Sequence, residues 1–121
     1  MRSRVFALPA VAAVLLLVGC TDNAPAGPAA SDGRALSVQA SDTACTLSAT
    51  TAPSGTLTFS VTNTGSQVNE FYLLAADGLR IIAEVENIGP GLTRDLVLSA
   101  PAGDYFSACK PGMVGDGIRA S

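Results

Sequence analysis

The chain has 121 residues, of which 14% are charged and 48% hydrophobic, and its formal net charge is −3. That length is enough for one small domain. The chain contains no histidine, which excludes Ser-His-Asp and Cys-His catalysis and metal sites that are built on imidazole. It has no basic patch, so nucleic acid is not an expected partner. We therefore expect a binding domain rather than an enzyme.

The N-terminus has the pattern of an export signal. Arg2 and Arg4 precede an apolar run over residues 5–18, and small residues follow that run. A basic start, a short apolar stretch and small residues at the junction predict a secretory signal peptide over residues 1–19. The apolar run has 14 residues, which is short of the ~20 that a membrane-spanning helix needs.

The residues at this junction also predict how the protein is held outside the cytoplasm. The sequence Leu-Val-Gly-Cys over residues 17–20 is similar to the lipobox of bacterial lipoproteins, which implies acylation of Cys20. The alternative is an ordinary signal peptide with an incidental cysteine. Residues 20–33 are rich in Ala, Pro and Gly and predict a flexible tether, so the folded domain spans 34–121. We expect an exported protein, lipid-anchored to the cell membrane and facing the periplasm or the cell exterior.

Two segments near the start of this domain alternate strictly between apolar and polar residues. They span residues 35–40 and 56–62, and a period of two is typical of half-buried strands. Turn residues flank the second segment on both sides. The side chains expected to face the core are Leu36, Val38, Ala40, Leu57, Phe59 and Val61.

The remaining strand signals follow at short intervals. A long apolar run over 68–75, interrupted by Glu70, is followed by the turn residues 77–78. A second strand follows over 80–88, and this order predicts a hairpin. Further strands are expected over 92–99, with Leu92, Leu96 and Leu98 inward, and over 104–109. No segment carries a sustained helical stripe, so the pattern predicts an all-β, antiparallel sandwich.

Residues 101–113 resemble the last part of a cupredoxin. An aromatic strand delivers Cys109 to its end, Lys-Pro-Gly follows, and Met113 lies four residues beyond the cysteine. Blue-copper sites use two histidines, one cysteine and a weak axial methionine. Gly112 stands where the histidine of this loop is expected, so we do not expect a blue-copper electron carrier.

Four stretches extend this resemblance over residues 36–120. Residues 42–45, 59–71, 84–92 and 109–119 are similar to the EfeO-type cupredoxin-like domains, which are extracytoplasmic components of bacterial iron-uptake systems. The resemblance implies a cupredoxin-like Greek-key β-sandwich of about seven strands and a contribution to iron uptake. It also implies two protein partners, an iron permease and a haem peroxidase of the same system.

The resemblance further implies two parts of the family's proteins that this sequence does not contain, one more strand and a second domain. The family domain normally continues after its Gly-Ile-Arg segment, residues 117–119, into one more strand, so the last strand is expected to be missing. Full-length relatives commonly continue into a helical metallopeptidase-like domain, of which nothing is present in this sequence. No function of that second domain is carried over to this chain.

A set of metal ligands follows from the same resemblance. The position of the first cupredoxin ligand is occupied here by Glu70, and two family cysteines match Cys45 and Cys109. Met113 is the candidate soft ligand. A carboxylate, thiolates and a thioether suit iron and/or copper better than calcium or magnesium, and no organic cofactor is expected.

Each part of this set has an alternative, which for Met113 is simple packing in the core. In an oxidising compartment a structural disulfide is the simplest explanation of an isolated pair such as Cys45 and Cys109, and it excludes metal binding by the same two residues. Glu70 either faces the interior, where it needs a cation or a donor, or points to solvent. Glu84 and Glu86 share one face of a strand and form either a second, weaker cation site or a solvated surface.

Overall fold

The computed structural model describes residues 32–120. The predicted signal peptide, most of the tether and the lipidation site Cys20 lie outside these residues. Within them, no helix has both the length and the apolar character that a bilayer span requires.

The regular secondary structure of the described chain consists of strands and one short 3₁₀ turn, which confirms the predicted all-β sandwich. One 3₁₀ turn, Pro111–Met113, follows the seventh strand. The eight strands are β1 (Ala35–Ala40), β2 (Cys45–Leu47), β3 (Gly55–Asn63), β4 (Asn69–Leu74), β5 (Ile81–Ile88), β6 (Thr93–Ala100), β7 (Phe106–Cys109) and β8 (Ile118–Arg119).

These strands form two four-stranded sheets, in the orders β2-β1-β3-β6 and β5-β4-β7-β8. The pairing is antiparallel except between β1 and β3, which run parallel. The expectation of a purely antiparallel sandwich was therefore wrong at this pair. The reason is β2, which returns the chain antiparallel along β1, so that β3 starts from the same end as β1.

The core confirms the predicted alternation of the first strands. Leu36, Val38 and Ala40 of β1 are buried, as are the three apolar side chains of β3 that were expected to face inward. Across the sandwich, the rings of Phe59 and Phe71 lie 5.3 Å apart. Burial of these side chains is the main source of stability for a sandwich of this size.

The inward orientation predicted for Leu92 was wrong. Leu96 of β6 is buried, but Leu92 is 57% exposed and lies just before the strand. Leu92 instead belongs to the turn before β6, where its backbone carbonyl accepts a hydrogen bond from the Asn63 N–H at 2.9 Å. The end of β3 therefore fixes this turn.

All six side chains of β4 are buried, so both faces of this strand are covered. Phe71 and Leu73 belong to the core between the sheets. Glu70, Tyr72 and Leu74 alternate with them and lie on the outer face. Burial on both faces explains why residues 71–75 are a run of aromatic and apolar side chains rather than an alternating pattern.

Two polar side chains fix the loop between β3 and β4, which leads directly to Glu70. The buried Asn63 amide donates to the carbonyls of Gln67 and Ile88, both at 2.7 Å. The Asp42 carboxylate accepts from the Ser66 hydroxyl at 2.6 Å and from the backbone N–H groups of Ser66 and Gln67. These bonds lower the pKa of Asp42 and hold the loop in one conformation.

Candidate functional site

A disulfide bond joins Cys45, at the start of β2, to Cys109, at the end of β7. Their Cα atoms are 5.4 Å apart, and both residues are buried. Because β2 and β7 belong to different sheets, the bond links the two layers of the sandwich.

This bond decides the chemical form of the two cysteines in the structure. A metal ligand must be a thiolate, and a disulfide sulfur is not one. In this oxidised form Cys45 and Cys109 are therefore partners of each other, the arrangement that the sequence left open as the alternative to metal ligation.

Glu70 lies on the other side of the sheet from this disulfide. Phe71 and Cys109 are directly opposed in the β4–β7 ladder, and both point into the core. Glu70 precedes Phe71, so its side chain points the opposite way. The expected convergence of Glu70 with the Cys109 sulfur is thus not present.

The predicted metal set is consequently not assembled in this structure. Between residues 32 and 120, no group of three or more His, Cys, Asp or Glu side chains is placed to hold a metal ion. Glu84 and Glu86, the candidates for a second cation site, are exposed on β5. A metal ion on any of these residues stays a prediction.

The turn after Cys109 does not fit a blue-copper centre either. Gly112 has a φ of 72°, and a Cβ atom there would lie 2.8 Å from the Gln67 Oε1 atom. A histidine at Gly112 would therefore strain the backbone and displace Gln67. Met113 follows, partly buried, with its N–H donating to the Lys110 carbonyl at 3.0 Å. Without histidine, and with Cys109 in a disulfide, the residues present do not match a copper site of two His, one Cys and Met.

The outer face of this sheet carries a polar network. Glu70 is 4% exposed, and its carboxylate accepts a hydrogen bond from the Tyr72 hydroxyl. The Lys110 ammonium donates to that hydroxyl at 3.4 Å and lies 4.5 Å from the centre of the Tyr72 ring. Tyr72 thereby connects the buried negative charge of Glu70 to the positive charge of Lys110, which offsets part of the cost of burying the carboxylate.

Sequence reasoning found only one member of this network. It identified Glu70 as a carboxylate that needs a donor if buried. Tyr72 lies two residues further along the same strand and hence on the same face, so the period of two was a usable signal. Lys110 depends on the register between β4 and β7, which the sequence does not specify.

Tyr72 is held in its neutral form. Burial raises the pKa of Tyr72 well above its ordinary value of 10.0, and the hydrogen bond to Glu70 and the negative charges of Glu70, Glu84 and Glu86 raise it further. An ionised phenol beside these carboxylates would be both desolvated and repelled.

We expect this pKa shift to make the fold sensitive to alkali. Because the pKa of Tyr72 is higher in the folded state, the unfolded chain loses this proton first as the pH rises. The contribution of Tyr72 to the free energy of unfolding is therefore complete below pH ~10 and is lost above it. Tyr72 contributes at most about 1.4 kcal/mol per pH unit to the slope of the free energy of unfolding against pH. Urea unfolding at several values between pH 9 and 11 checks this, with Tyr72→Phe as the comparison. Identical slopes for both proteins would contradict the assignment.

A cavity of ≈ 490 Å³ lies near the opposite end of the sandwich. Its lining includes Leu57, Phe59 and Leu73 from the core and the loops that precede β3 and β7. Neither the disulfide nor the Glu70 network lines it, so it is separate from the site described above.

Two packed four-stranded sheets, with a penultimate strand that ends in cysteine before a Pro-Gly-Met turn, define a cupredoxin-like sandwich. The chain belongs to the cupredoxin-like domain family, whose profile matches residues 9–119. Among solved structures it is similar to the crystal structure of Na-dithionite-reduced auracyanin from the photosynthetic bacterium Roseiflexus castenholzii. The TM-score is 0.56 and the identity 21%, over 72% of this chain and 93% of that chain. This likeness concerns the fold alone. No curated protein sequence matches this chain.

Proposed function

We propose that this chain is a lipid-anchored, extracytoplasmic cupredoxin-like domain of the EfeO type that contributes to iron uptake at the cell envelope. The observation that carries its placement outside the cytoplasm is the buried Cys45–Cys109 disulfide, because such bonds form and persist in oxidising compartments. The lipobox-like sequence at Cys20 supports the anchor. The matched stretches support the assignment to iron uptake and, as partners, an iron permease and a haem peroxidase.

In this proposal the domain captures or hands over a metal ion and catalyses nothing itself. Binding of iron and/or copper belongs to the reduced protein, because only reduction frees the thiolates of Cys45 and Cys109. Met113, in the adjoining turn, supplies the thioether. Glu70 was predicted as a fourth ligand, but its position on the outer face makes it dispensable for uptake at the cysteine pair.

A metal titration tests this proposal. Fe²⁺ and Cu⁺ are titrated anaerobically by calorimetry into the oxidised domain, into the domain reduced with a phosphine, and into the reduced Cys45→Ala Cys109→Ala variant. Circular dichroism verifies that each form is folded. We expect stoichiometric uptake by the reduced domain alone, and unchanged uptake by Glu70→Gln. Equal uptake by the reduced domain and the double variant would contradict a site on the cysteines.

A second candidate function is favoured by the same disulfide. A domain whose cysteines stay paired and whose other candidate ligands are not assembled is suited to act as a metal-free, disulfide-stapled interaction domain. Absence of uptake by both the oxidised and the reduced protein would support this function over metal binding.

A further inference from the structure

A groove crosses the outer face of the sheet that contains β4, β7 and β8. Its volume is ≈ 360 Å³. Tyr72 of β4 is directly opposed to Ala108 of β7, and Ala108 to Arg119 of β8, so the small side chain of Ala108 forms the floor between two large ones. We call this the outer groove and define it by Tyr72, Leu74, Ile81, Ala108, Lys110 and Arg119.

Large apolar side chains surround the outer groove and are exposed. Leu79, in the β4–β5 turn, is 81% exposed, and Phe106 of β7 is 48% exposed. Ile81 is half exposed, and Val114, just before the lining residue Gly115, is 72% exposed. Exposed apolar side chains that cluster on one face are typical of a surface that binds another protein.

The charge of the outer groove changes from its β5 side to its β8 side. The row of opposed residues begins at Glu84 of β5 and ends at Arg119 of β8. The carboxylates that act on Tyr72 therefore belong to the β5 side and to Glu70, and the basic side chain stands at β8. After residue 33 the chain has five basic side chains, and two of them, Lys110 and Arg119, line the groove against one acidic side chain, Asp116. Lys110 already offsets Glu70 through Tyr72. Among residues 32–120 an ion pair joins Arg34 to Asp32. Arg119 forms no ion pair with a carboxylate of these residues.

The Arg119 guanidinium is held in place by neutral groups. It donates one hydrogen bond to the Gly78 carbonyl at 2.8 Å and lies 5.9 Å from the centre of the Phe106 ring. A guanidinium has five N–H donors, so most of them remain for an acceptor outside the domain. A carboxylate is the acceptor that matches their planar geometry.

We propose that the outer groove is the docking site for an acidic side chain of a partner protein, flanked in that partner by apolar side chains. Arg119 binds the carboxylate, and Leu79, Ile81 and Phe106 bury the apolar neighbours. Tyrosine, phenylalanine and arginine are enriched at such interfaces. The apolar border extends beyond the groove, which fits a protein surface better than a small organic acid. This docking does not depend on metal binding.

The probe for the test is an acetylated peptide in which leucine and aspartate alternate. It is titrated into the oxidised, isotope-labelled domain and followed by NMR and fluorescence anisotropy. We expect shifts at Ala108, Arg119 and the Leu79 turn, and at least about fivefold weaker binding to Arg119→Ala. Arg94→Ala is the matched control, because Arg94 is also exposed and also donates to one backbone carbonyl, that of Glu86, at 3.1 Å. It is expected to bind the peptide as the unmodified domain does.

Four results would overturn the proposal. The first is equal affinity for Arg119→Ala and Arg94→Ala, and the second is a shift map centred elsewhere. The third is equal binding of a peptide in which asparagine replaces aspartate, because then no carboxylate is recognised. The fourth is self-association in sedimentation experiments that Arg119→Ala abolishes, because a second copy of this chain would then occupy the groove.

Discussion

Replacing both Cys45 and Cys109 with alanine is expected to lower the free energy of unfolding by about 4 kcal/mol. The two cysteines are separated by 64 positions in the sequence. A cross-link over a loop of this length lowers the conformational entropy of the unfolded chain, which gives a stabilisation of this order. The bond also joins the two sheets, so its loss removes a covalent link between the layers. Urea unfolding of the oxidised domain and the double variant gives the difference.

Reduction of the unmodified domain is the control for this experiment. The reduced protein keeps both sulfur atoms in the core and loses only the bond, so it separates the cross-link from the packing of the side chains. We expect reduction to account for most of the loss. A double variant within about 1 kcal/mol of the oxidised domain would contradict the structural role of the disulfide.

Tyr72→Phe is expected to lower the free energy of unfolding by about 1–3 kcal/mol, because it leaves the buried Glu70 carboxylate without its hydroxyl donor. It also removes the acceptor of the Lys110 ammonium. The matched control is Tyr105→Phe. The Tyr105 ring is partly buried, but its hydroxyl donates to the Pro101 carbonyl at 2.7 Å in an exposed hydrogen bond. Water replaces the lost partner there, so the loss is expected to stay below about 1 kcal/mol.

A second substitution isolates the charge of Glu70. In the Tyr72→Phe background, Glu70→Gln removes the negative charge that has lost its donor, and we expect it to restore part of the lost stability. Equal losses for Tyr72→Phe and Tyr105→Phe, or no coupling between positions 70 and 72 in this double-mutant cycle, would contradict the network.

Much of the fold could be predicted because the strongest strands have a buried face and a solvated face. The alternation in β1 and β3 fixed which side chains enter the core, and the turn residues between β4 and β5 indicated their hairpin. The strands β2 and β8 are too short, at three and two residues, to show a period of two. The parallel β1–β3 pair was missed because pairing direction depends on where β2 returns the chain.

The site was less predictable, because its chemistry depends on distances between strands. The sequence identified Cys45 and Cys109 but not their state, which requires the 5.4 Å approach of their Cα atoms. The sequence left open whether the Glu70 side chain points into the interior or to solvent. The structure has a third arrangement, an outward-facing side chain that Tyr72 and Lys110 cover. Only the register of β4 with β7 shows that Glu70 and Cys109 lie on opposite faces.

The central claim is that the cysteine at the end of β7 is paired with Cys45 in the folded protein. Mass spectrometry of peptides tests it most directly, on protein that is isolated from cells without reductant, unfolded and treated with iodoacetamide. We predict that Cys45 and Cys109 are unmodified and recovered in one cross-linked peptide pair, and that both are alkylated only after reduction. Alkylation of both cysteines without reductant would contradict the claim.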